Sequence, residues 1–151
     1  MQVKIYSDGS SRNNPGKSGY GTILIYGTHR KEISEGFKFS TNNRMELLGV
    51  IKGLEALKKD GLDVEITTDS KYVVDSVNKG WVFSWEKKNF SKRKNADLWI
   101  RFLKVYRKHN IKLFWVKGHN EHPENERCDE LATKESAKDV SLLKEDIGYL
   151  I

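Results

Sequence analysis

Three short segments rich in valine, isoleucine, tyrosine and phenylalanine open the chain, at about residues 2–8, 19–26 and 31–39. Clusters of glycine, asparagine and serine separate them, which is typical of turns between strands. Because a parallel return between strands needs about a dozen residues or more, connections this short favour antiparallel neighbours. The first part of the chain is therefore predicted to form three antiparallel strands.

Alternating helix- and strand-like segments occupy the rest of the chain. Apolar residues recur three or four apart over residues 43–59, which predicts a helix. Gly49 and Gly53 weaken that helix by about 1 kcal/mol each, and a close approach to the sheet would explain them. Shorter patterns predict strands at 63–69 and 111–116 and helices at about 71–79, 81–88, 97–109 and 126–138. Three strands followed by this alternation predict an α/β fold, a mixed sheet with helices on its faces.

The composition suits one ordinary domain that spans residues 1–151, because domains usually run to about 100–200 residues. No apolar run exceeds four residues, and the N-terminal residues lack the apolar core of a signal peptide, so neither a membrane span nor a secretion signal is expected. Cys128 is the single cysteine and has no partner for an internal disulfide, which indicates a reducing compartment. We therefore expect a cytoplasmic protein, and a monomer because no pattern demands an oligomer.

Positive charge is concentrated in one part of the chain. The 27 basic and 21 acidic residues give a net charge of +6, but residues 79–117 alone carry 12 basic and 2 acidic groups. All four tryptophans lie in the same segment. Basic groups interleaved with aromatic faces attract phosphates and exposed bases, whereas a solvated helical face over an aromatic core would leave the same pattern. The segment therefore indicates either nucleic-acid binding or an ordinary charged surface.

Four acidic residues stand out by their predicted positions. Asp8 and Asp69 end the first and fourth predicted strands, and Glu46 and Asp129 lie in the first turns of the first long helix and the last helix. Strand ends and helix starts gather at one rim of an open α/β sheet, where ligands bind. Several carboxylates at such a rim suit Mg²⁺, which prefers oxygen ligands and keeps waters for phosphate substrates.

Each of these acids also has a purely structural explanation. Asp8 and Gly9 form a common turn pair, and Glu46 follows Asn43 by three residues, as in a capping box. The other two acids could favour the adjacent helices by their charge. Position alone therefore leaves metal binding open.

The acids stand within longer motifs that follow one another in a distinctive order. Four motifs each contain one of the four acids discussed above: Y-S-D-G-S-S-R-N-N-P-G-K-S-G-Y-G (6–21), T-N-N-R-M-E-L (41–47), T-T-D-S-K-Y-V (67–73) and V-K-G-H-N-E-H-P-E-N-E-R-C-D-E-L-A (116–132). Three more lie between or after them: G-W followed by W (80–85), N-A-D-L-W (95–99) and the terminal E-D-I-G-Y. In this order, and over nearly the whole chain, the motifs resemble those of bacterial type I ribonuclease H.

The resemblance implies a ribonuclease H-like α/β fold, with a mixed five-stranded sheet whose first three strands are antiparallel and whose later strands are parallel, and helices on both faces. It also implies a Mg²⁺-dependent endonuclease that cuts the RNA strand of RNA–DNA hybrids and leaves 5′-phosphate and 3′-hydroxyl ends. The family's catalytic, metal-binding carboxylates match Asp8, Glu46, Asp69 and Asp129. Two ions about 3.5–4 Å apart, with Mn²⁺ as a substitute for Mg²⁺, would promote an in-line displacement.

His119, in the string G-H-N, matches a histidine in a mobile loop of the family. Because a histidine titrates near neutrality, the resemblance implies proton transfer or product release rather than metal binding. Without the resemblance, a loop histidine bonded to a neighbouring backbone group would be the default. A zinc site of His119, His122 and Cys128 is a weaker alternative, since these residues lack a convincing zinc-site spacing.

The resemblance also divides recognition of a hybrid between two groups of residues. The side that meets RNA 2′-hydroxyls in a shallow minor groove consists of Gly9, Ser10, Ser11, Asn42, Glu46 and Lys71. The DNA strand would be held by a phosphate pocket of Asn14, Thr41 and Asn95, whose neutral donors position a backbone without reading bases. As ordinary structural residues, Asn14 would form a turn and the other two would cap helices.

Residues 81–94 resemble the family's basic protrusion. The aromatic members would supply faces and the basic members phosphate contacts: Trp81, Trp85, Lys87, Lys88, Phe90, Lys92, Arg93 and Lys94. Trp81 is the candidate for stacking on a deoxyribose, whereas a core position is favoured for Trp85. The protrusion is therefore expected to bind a nucleic-acid backbone largely through charge.

Departures from the family pattern are few. Asn13 and Ser18 replace expected glycines, Glu86 adds a negative charge to the protrusion, and the protrusion is a few residues short. Asparagine tolerates a positive φ better than most residues, so it suits position 13. The alternatives are a non-catalytic nucleic-acid-binding domain of the same fold, which would have lost a carboxylate, and an integrase or junction resolvase, which would lack the T-N-N-R-M-E-L motif and the protrusion.

Overall fold

The computed structural model describes residues 2–118 and 122–151. Within them the elements follow one another as β1 (Gln2–Ser11), β2 (Gly16–Tyr26), β3 (His29–Ser40), α1 (Asn42–Glu55), β4 (Asp63–Thr68), α2 (Lys71–Asn78), α3 (Trp81–Lys87), α4 (Ala96–Tyr106), β5 (Asn110–Trp115) and α5 (Pro123–Ser136). A 3₁₀ turn (Val140–Leu142) and a short helix, α6 (Ile147–Leu150), end the chain. The predicted types and order of the elements are confirmed, and the differences lie at their ends.

The five strands form one mixed sheet in the order β3-β2-β1-β4-β5. As predicted, β2 runs antiparallel to both β1 and β3, whereas β4 and β5 run parallel to β1. Ser7 of β1 lies beside Thr68 of β4 in the last parallel pair. The next residues along the chain, Asp8 inside β1 and Asp69 just after the end of β4, therefore lie side by side.

Helix α1 covers one face of the sheet at very short range. A Cβ atom on Gly53 would lie 2.9 Å from Ile5 Cγ2, and one on Gly49 would lie 3.2 Å from Thr22 Oγ1. Thr22 Oγ1 donates a hydrogen bond to the Gly49 carbonyl oxygen at 2.7 Å. The prediction that these glycines permit a close helix–sheet approach is confirmed, and Glu46 lies on the same stripe of the helix.

Helix α5 covers the opposite face. Gly21 of β2 points away from α1, and a Cβ atom there would lie 2.4 Å from the carbonyl oxygen of Cys128. Cys128 is fully buried at this contact. Helices on both faces are thus confirmed, and α1 and α5 bring their acidic residues towards the same end of β1.

Aromatic packing links the later helices to this sheet. Trp99 of α4 is fully buried and meets Trp85 of α3 and Phe102 edge-on, with ring centroids 5.9 and 5.4 Å apart. No helix among the described residues is long and apolar enough to cross a membrane. The aromatic cluster holds the 81–94 segment beside α2, next to the carboxyl end of β4.

Candidate active site

Asp8 lies inside β1 rather than at its end. Asp8 and Gly9 pair with Gly21 and Tyr20 of β2, so the alternative that they form a turn is wrong. A Cβ atom on Gly9 would lie 2.6 Å from the backbone nitrogen of Glu46. Glycine at this position therefore lets α1 approach β1 closely enough to place the two carboxylates together.

Glu46 lies in the second turn of α1, not in the first turn as predicted. The helix is capped by Thr41, whose hydroxyl accepts a hydrogen bond from the Arg44 backbone N–H at 3.2 Å. The capping-box explanation with Asn43 is therefore wrong, because the helix begins one residue before Asn43. One oxygen of Glu46, Oε2, is buried and has no hydrogen-bond partner among the described residues.

Asp69 directly follows the last residue of β4. Ser70 caps α2 by accepting a hydrogen bond from the Val73 N–H at 3.2 Å. Trp115 at the end of β5 donates its indole N–H to the Asp69 carbonyl oxygen at 2.9 Å. The backbone of Asp69 is thus held by the neighbouring strand, which leaves its carboxylate directed towards Asp8 and Glu46.

The three acids form one cluster. Asp8, Glu46 and Asp69 each offer a carboxylate oxygen, and these oxygens all lie within 4.8 Å of one another. Among residues 2–118 and 122–151, this is the one group of histidine, cysteine or acidic side chains close enough to share an ion. A cavity of about 480 Å³ opens over it, with Asp129 in its wall. Asp129 lies in the second turn of α5, not the first, because that helix begins three residues earlier than predicted.

Burial and mutual repulsion shift the pKa values of two of the clustered acids. Burial, followed by the charge of Asp69, raises the pKa of Asp8 to about 8. Burial and the charges of Asp8 and Asp69 likewise raise the pKa of Glu46 well above its ordinary value. An unpartnered carboxylate oxygen among several oxygen donors suits a hard divalent cation, which would relieve the repulsion.

Most residues predicted for the RNA side lie around this cavity. Gly9, Ser10, Ser11, Asn42 and Lys71 line it, together with Asn43, Ser70 and Tyr72, which the sequence analysis did not assign. The backbone N–H of Asn42 already donates to Asn14 Oδ1 at 3.0 Å, so its side chain is the group it offers. The Lys71 ammonium lies over the Trp115 ring, 4.7 Å from the centroid. The unassigned residues were detectable, because each adjoins an assigned one in the sequence.

The residues predicted for the DNA-phosphate pocket share a second cavity. Asn14, Thr41 and Asn95 line a space of about 750 Å³ together with Arg93 and Lys94. Thr41 caps a helix, as its structural explanation required. Asn95 stands at the start of α4 with φ of 63° and makes no side-chain cap, so that explanation is wrong for Asn95. Asn13 has a φ of 60°. This positive φ agrees with the prediction that asparagine can replace the family's glycine at this position.

The protrusion differs from the prediction in one residue. Trp81 is 44% exposed, whereas Trp85 packs against the core, as favoured, with Arg93 4.8 Å from its ring centroid. Phe90 is buried, so the prediction that it supplies an exposed face is wrong: its backbone has a φ of 56°, which turns the ring inwards. The lysines of the protrusion are exposed: Lys87, Lys88, Lys92 and Lys94.

The histidine predictions have separate outcomes. His119 lies outside the described residues. His122 caps α5 by accepting a hydrogen bond from the Asn125 N–H at 3.3 Å, and its ring packs on Tyr6 with centroids 5.3 Å apart. Burial raises the pKa of the Cys128 thiol above its ordinary value. This shift disfavours the thiolate that the alternative zinc site would need from Cys128.

Comparisons with known proteins agree with this geometry. The family model described as RNase H matches residues 1–137. Ribonuclease H of Proteus mirabilis is 51% identical over 154 residues, which cover 99% of this chain and 94% of that protein. Ribonuclease H of Desulforamulus reducens is 50% identical over 136 residues, which cover 87% of this chain and 85% of that protein.

Solved structures give the same result. LC9-RNase H1, described as a type 1 RNase H with the type 2 active-site motif, is 28% identical and superposes with a TM-score of 0.81 over 89% of this chain and 72% of that one. LC11-RNase H1 in complex with an RNA/DNA hybrid shares the fold, at 24% identity and a TM-score of 0.65 over 87% of this chain and 94% of that one. The chain therefore belongs to the ribonuclease H family, with the bacterial type I enzymes.

Proposed function

We propose that this protein is a Mg²⁺-dependent endonuclease that hydrolyses the RNA strand of RNA–DNA hybrids. In this proposal Asp8, Glu46, Asp69 and Asp129 hold two ions, with Mn²⁺ as a substitute, and the products carry 5′-phosphate and 3′-hydroxyl ends. The observation that carries the proposal is the cluster of three acids within 4.8 Å, one of them with a buried oxygen that lacks a partner. Membership of the ribonuclease H family supports the same reaction.

The chain's own residues would divide the work by position. Asp8, Glu46 and Asp69 gather oxygen donors on one side of the cavity, and Asp129 supplies a carboxylate from its wall. Bound divalent ions would activate the attacking water and stabilise the leaving 3′ oxygen. His119 is proposed to move a proton or to assist product release, since an imidazole titrates near neutrality.

Recognition of the hybrid is proposed to use three adjoining surfaces. The residues around the acidic cavity would meet the RNA 2′-hydroxyls, because a 2′-hydroxyl both donates and accepts hydrogen bonds. The cavity of Asn14, Thr41 and Asn95 would hold a DNA phosphate. The protrusion would follow the DNA backbone, and a third cavity of about 690 Å³ between Trp81, Trp85 and the basic residues lies along that path.

Cleavage of an end-labelled RNA–DNA hybrid tests the reaction. Wild-type protein with Mg²⁺ should cut the hybrid and leave RNA duplex, DNA duplex and single-stranded RNA intact. Asp8→Asn should not cut it, whereas Asp60→Asn, at an exposed position, should cut like wild type. Binding without cleavage in either Mg²⁺ or Mn²⁺ would contradict the proposal in favour of a non-catalytic binding domain.

The salt dependence of binding tests the protrusion separately. If five basic side chains neutralise phosphates, the logarithm of the binding constant should fall with the logarithm of salt at a slope near about −4.5, from about −0.9 per contact. Replacing Lys87, Lys88, Lys92, Arg93 and Lys94 by alanine should flatten that slope. An unchanged slope would place the binding surface elsewhere. Size-exclusion chromatography of the same samples should show the proposed monomer.

A further inference from the structure

A buried arginine lies directly behind the cavity of Asn14, Thr41 and Asn95. Arg44 is only 2% exposed although its side chain reaches the wall of that cavity. A cation beside a phosphate pocket would ordinarily be taken as a phosphate ligand. Its hydrogen bonds indicate a different role.

All five N–H donors of the Arg44 guanidinium are in use. Asp146 accepts from Nε at 2.8 Å and from Nη2 at 3.0 Å. Asp97 accepts from Nη1 at 2.8 Å and from Nη2 at 2.7 Å, and Asn95 Oδ1 accepts from Nη1 at 3.4 Å. Because a guanidinium has five N–H donors, Arg44 has none left for a phosphate.

The other end of the Asn95 side chain is held by Tyr72. Asn95 Nδ2 donates to the Tyr72 hydroxyl oxygen at 3.1 Å, and the Trp99 indole N–H donates to the same oxygen at 2.8 Å. With Arg44 donating to Oδ1, a flipped carboxamide would bring its NH₂ group against an arginine N–H. The Asn95 carboxamide therefore has one favoured orientation, and its second Nδ2 hydrogen has no partner in the part of the chain that the structure describes.

The C-terminal segment anchors this arrangement. Lys144 pairs with β3 by backbone hydrogen bonds to Gly36 and Lys38, at 2.9 and 2.8 Å. Asp146 then accepts one hydrogen bond from Ser40 and two of the five hydrogen bonds that Arg44 donates. The segment lies beyond residue 137, where the family match ends.

We infer that Tyr72 and Asp146 are positioning residues, which act through Asn95 and Arg44 to present one carboxamide N–H to a phosphate of the DNA strand. The inference rests on the proposed function, since it assigns how one phosphate of a hybrid is held. The hydrogen bond between Tyr72 and Asn95 links α2, which begins two residues after Asp69, to the start of α4, which Asn95 precedes. The scaffold thus sets the distance between the held phosphate and the acidic cluster.

Steady-state kinetics of Tyr72→Phe and Asn95→Gly test the inference. Glycine suits the left-handed backbone at position 95, and Tyr106→Phe is the control, because Tyr106 packs on Phe102 without a described hydroxyl contact. Tyr72→Phe removes the acceptor of both Asn95 and Trp99. Loss of the hydrogen bond to Asn95 should raise its KM about fivefold and leave kcat within about twofold. The double variant should have the KM of Asn95→Gly alone, and additive effects would overturn the inference.

A second readout separates positioning from a general loss of packing. Hybrids that carry one neutral methylphosphonate at successive DNA positions should reveal one phosphate whose neutralisation raises KM for wild type. Tyr72→Phe and Asp146→Asn should lose sensitivity at that position alone, and full sensitivity in both variants would overturn the inference. A wild-type protein that neither binds nor cuts the unmodified hybrid would overturn the proposed function and the inference with it.

Discussion

Two groups of carboxylates differ in whether a cation lies among them. Among the described residues, Asp8, Glu46 and Asp69 meet without a basic side chain in ion-pair contact, and Oε2 of Glu46 has no hydrogen-bond partner. Asp97 and Asp146 enclose Arg44, and every donor of that guanidinium is used. The same side-chain chemistry therefore serves a site that needs a ligand in one place and a closed structural unit in the other.

The pKa shifts of Asp8 and Glu46 in the first group are opposite in direction to that of Asp97 in the second. In the first group, burial and like charges raise the pKa of Asp8 and Glu46. In the second, hydrogen bonds from Arg44 lower the pKa of Asp97. Burial alone would lower the pKa of Arg44, but its hydrogen bonds to Asp97 and Asp146 raise it. Burial and like charges thus raise a carboxyl pKa, whereas hydrogen bonds from a cation lower it.

The largest effect should come from neutralising the unbalanced group. Asp8→Asn should reduce Mg²⁺-dependent cleavage by at least about a thousandfold, because bound metal ions supply several kcal/mol of transition-state stabilisation. Without metal at about pH 9, where most of Asp8 is ionised in the folded protein, the same variant should melt at the same temperature as wild type or higher, since it removes a repelling charge. A clear fall in the metal-free melting temperature would contradict the view that this group concentrates uncompensated charge.

Removing the cation of the balanced group should have the opposite effect on stability. Arg44→Ala should lower the free energy of unfolding by about 3–5 kcal/mol, because it leaves a buried carboxylate without its partner. Urea denaturation of the metal-free proteins measures this loss. A loss below about 1 kcal/mol, the usual limit for an exposed pair, would show that the two groups do not differ as described.

The raised pKa of Asp8 should also make the stability of the metal-free protein depend on pH. The pKa of Asp8 is about 8 in the folded protein without metal and about 3.9 in an unfolded chain. Between these values the folded state binds more protons, so the free energy of unfolding should fall as pH rises through that window.

Melting in EDTA at pH 5.5 and pH 8.0 measures this effect. Wild type should lose about 1–3 kcal/mol more than Asp8→Asn between the two values, and added Mg²⁺ should restore part of the loss at pH 8.0. If stability depends on pH equally in wild type and Asp8→Asn, the acidic cluster is not the cause of that dependence.

The smallest effect is expected at an exposed ion pair of similar geometry. Arg101 donates to both oxygens of Glu55, at 2.7 and 2.6 Å, but both side chains are partly exposed. Arg101→Ala should therefore cost only about 0.2–1 kcal/mol. This variant is the matched control for Arg44→Ala, and an equal loss in the two would mean that burial does not set the strength of these pairs.

Local patterns predicted the order of the elements but not all of their ends. The start of α5 was placed three residues late because His122, an uncommon cap, supplies the accepting nitrogen. The predicted end of α1 was late as well, since Leu57 continues the apolar pattern after the helix has ended at Glu55. Phe90 was misplaced because a positive φ turned it inwards, and nothing in its neighbours signals that conformation.

The sequence by itself predicted the three acids that the structure brings together, because each stands within a family motif. It also determined the mixed sheet, through strand-like segments too closely spaced for parallel returns. Only the tertiary structure decided which acids are balanced. Asp97 and Asp146 lie 53 and 102 residues from Arg44 along the chain, and a charge acquires its partner through distance in space rather than position in sequence.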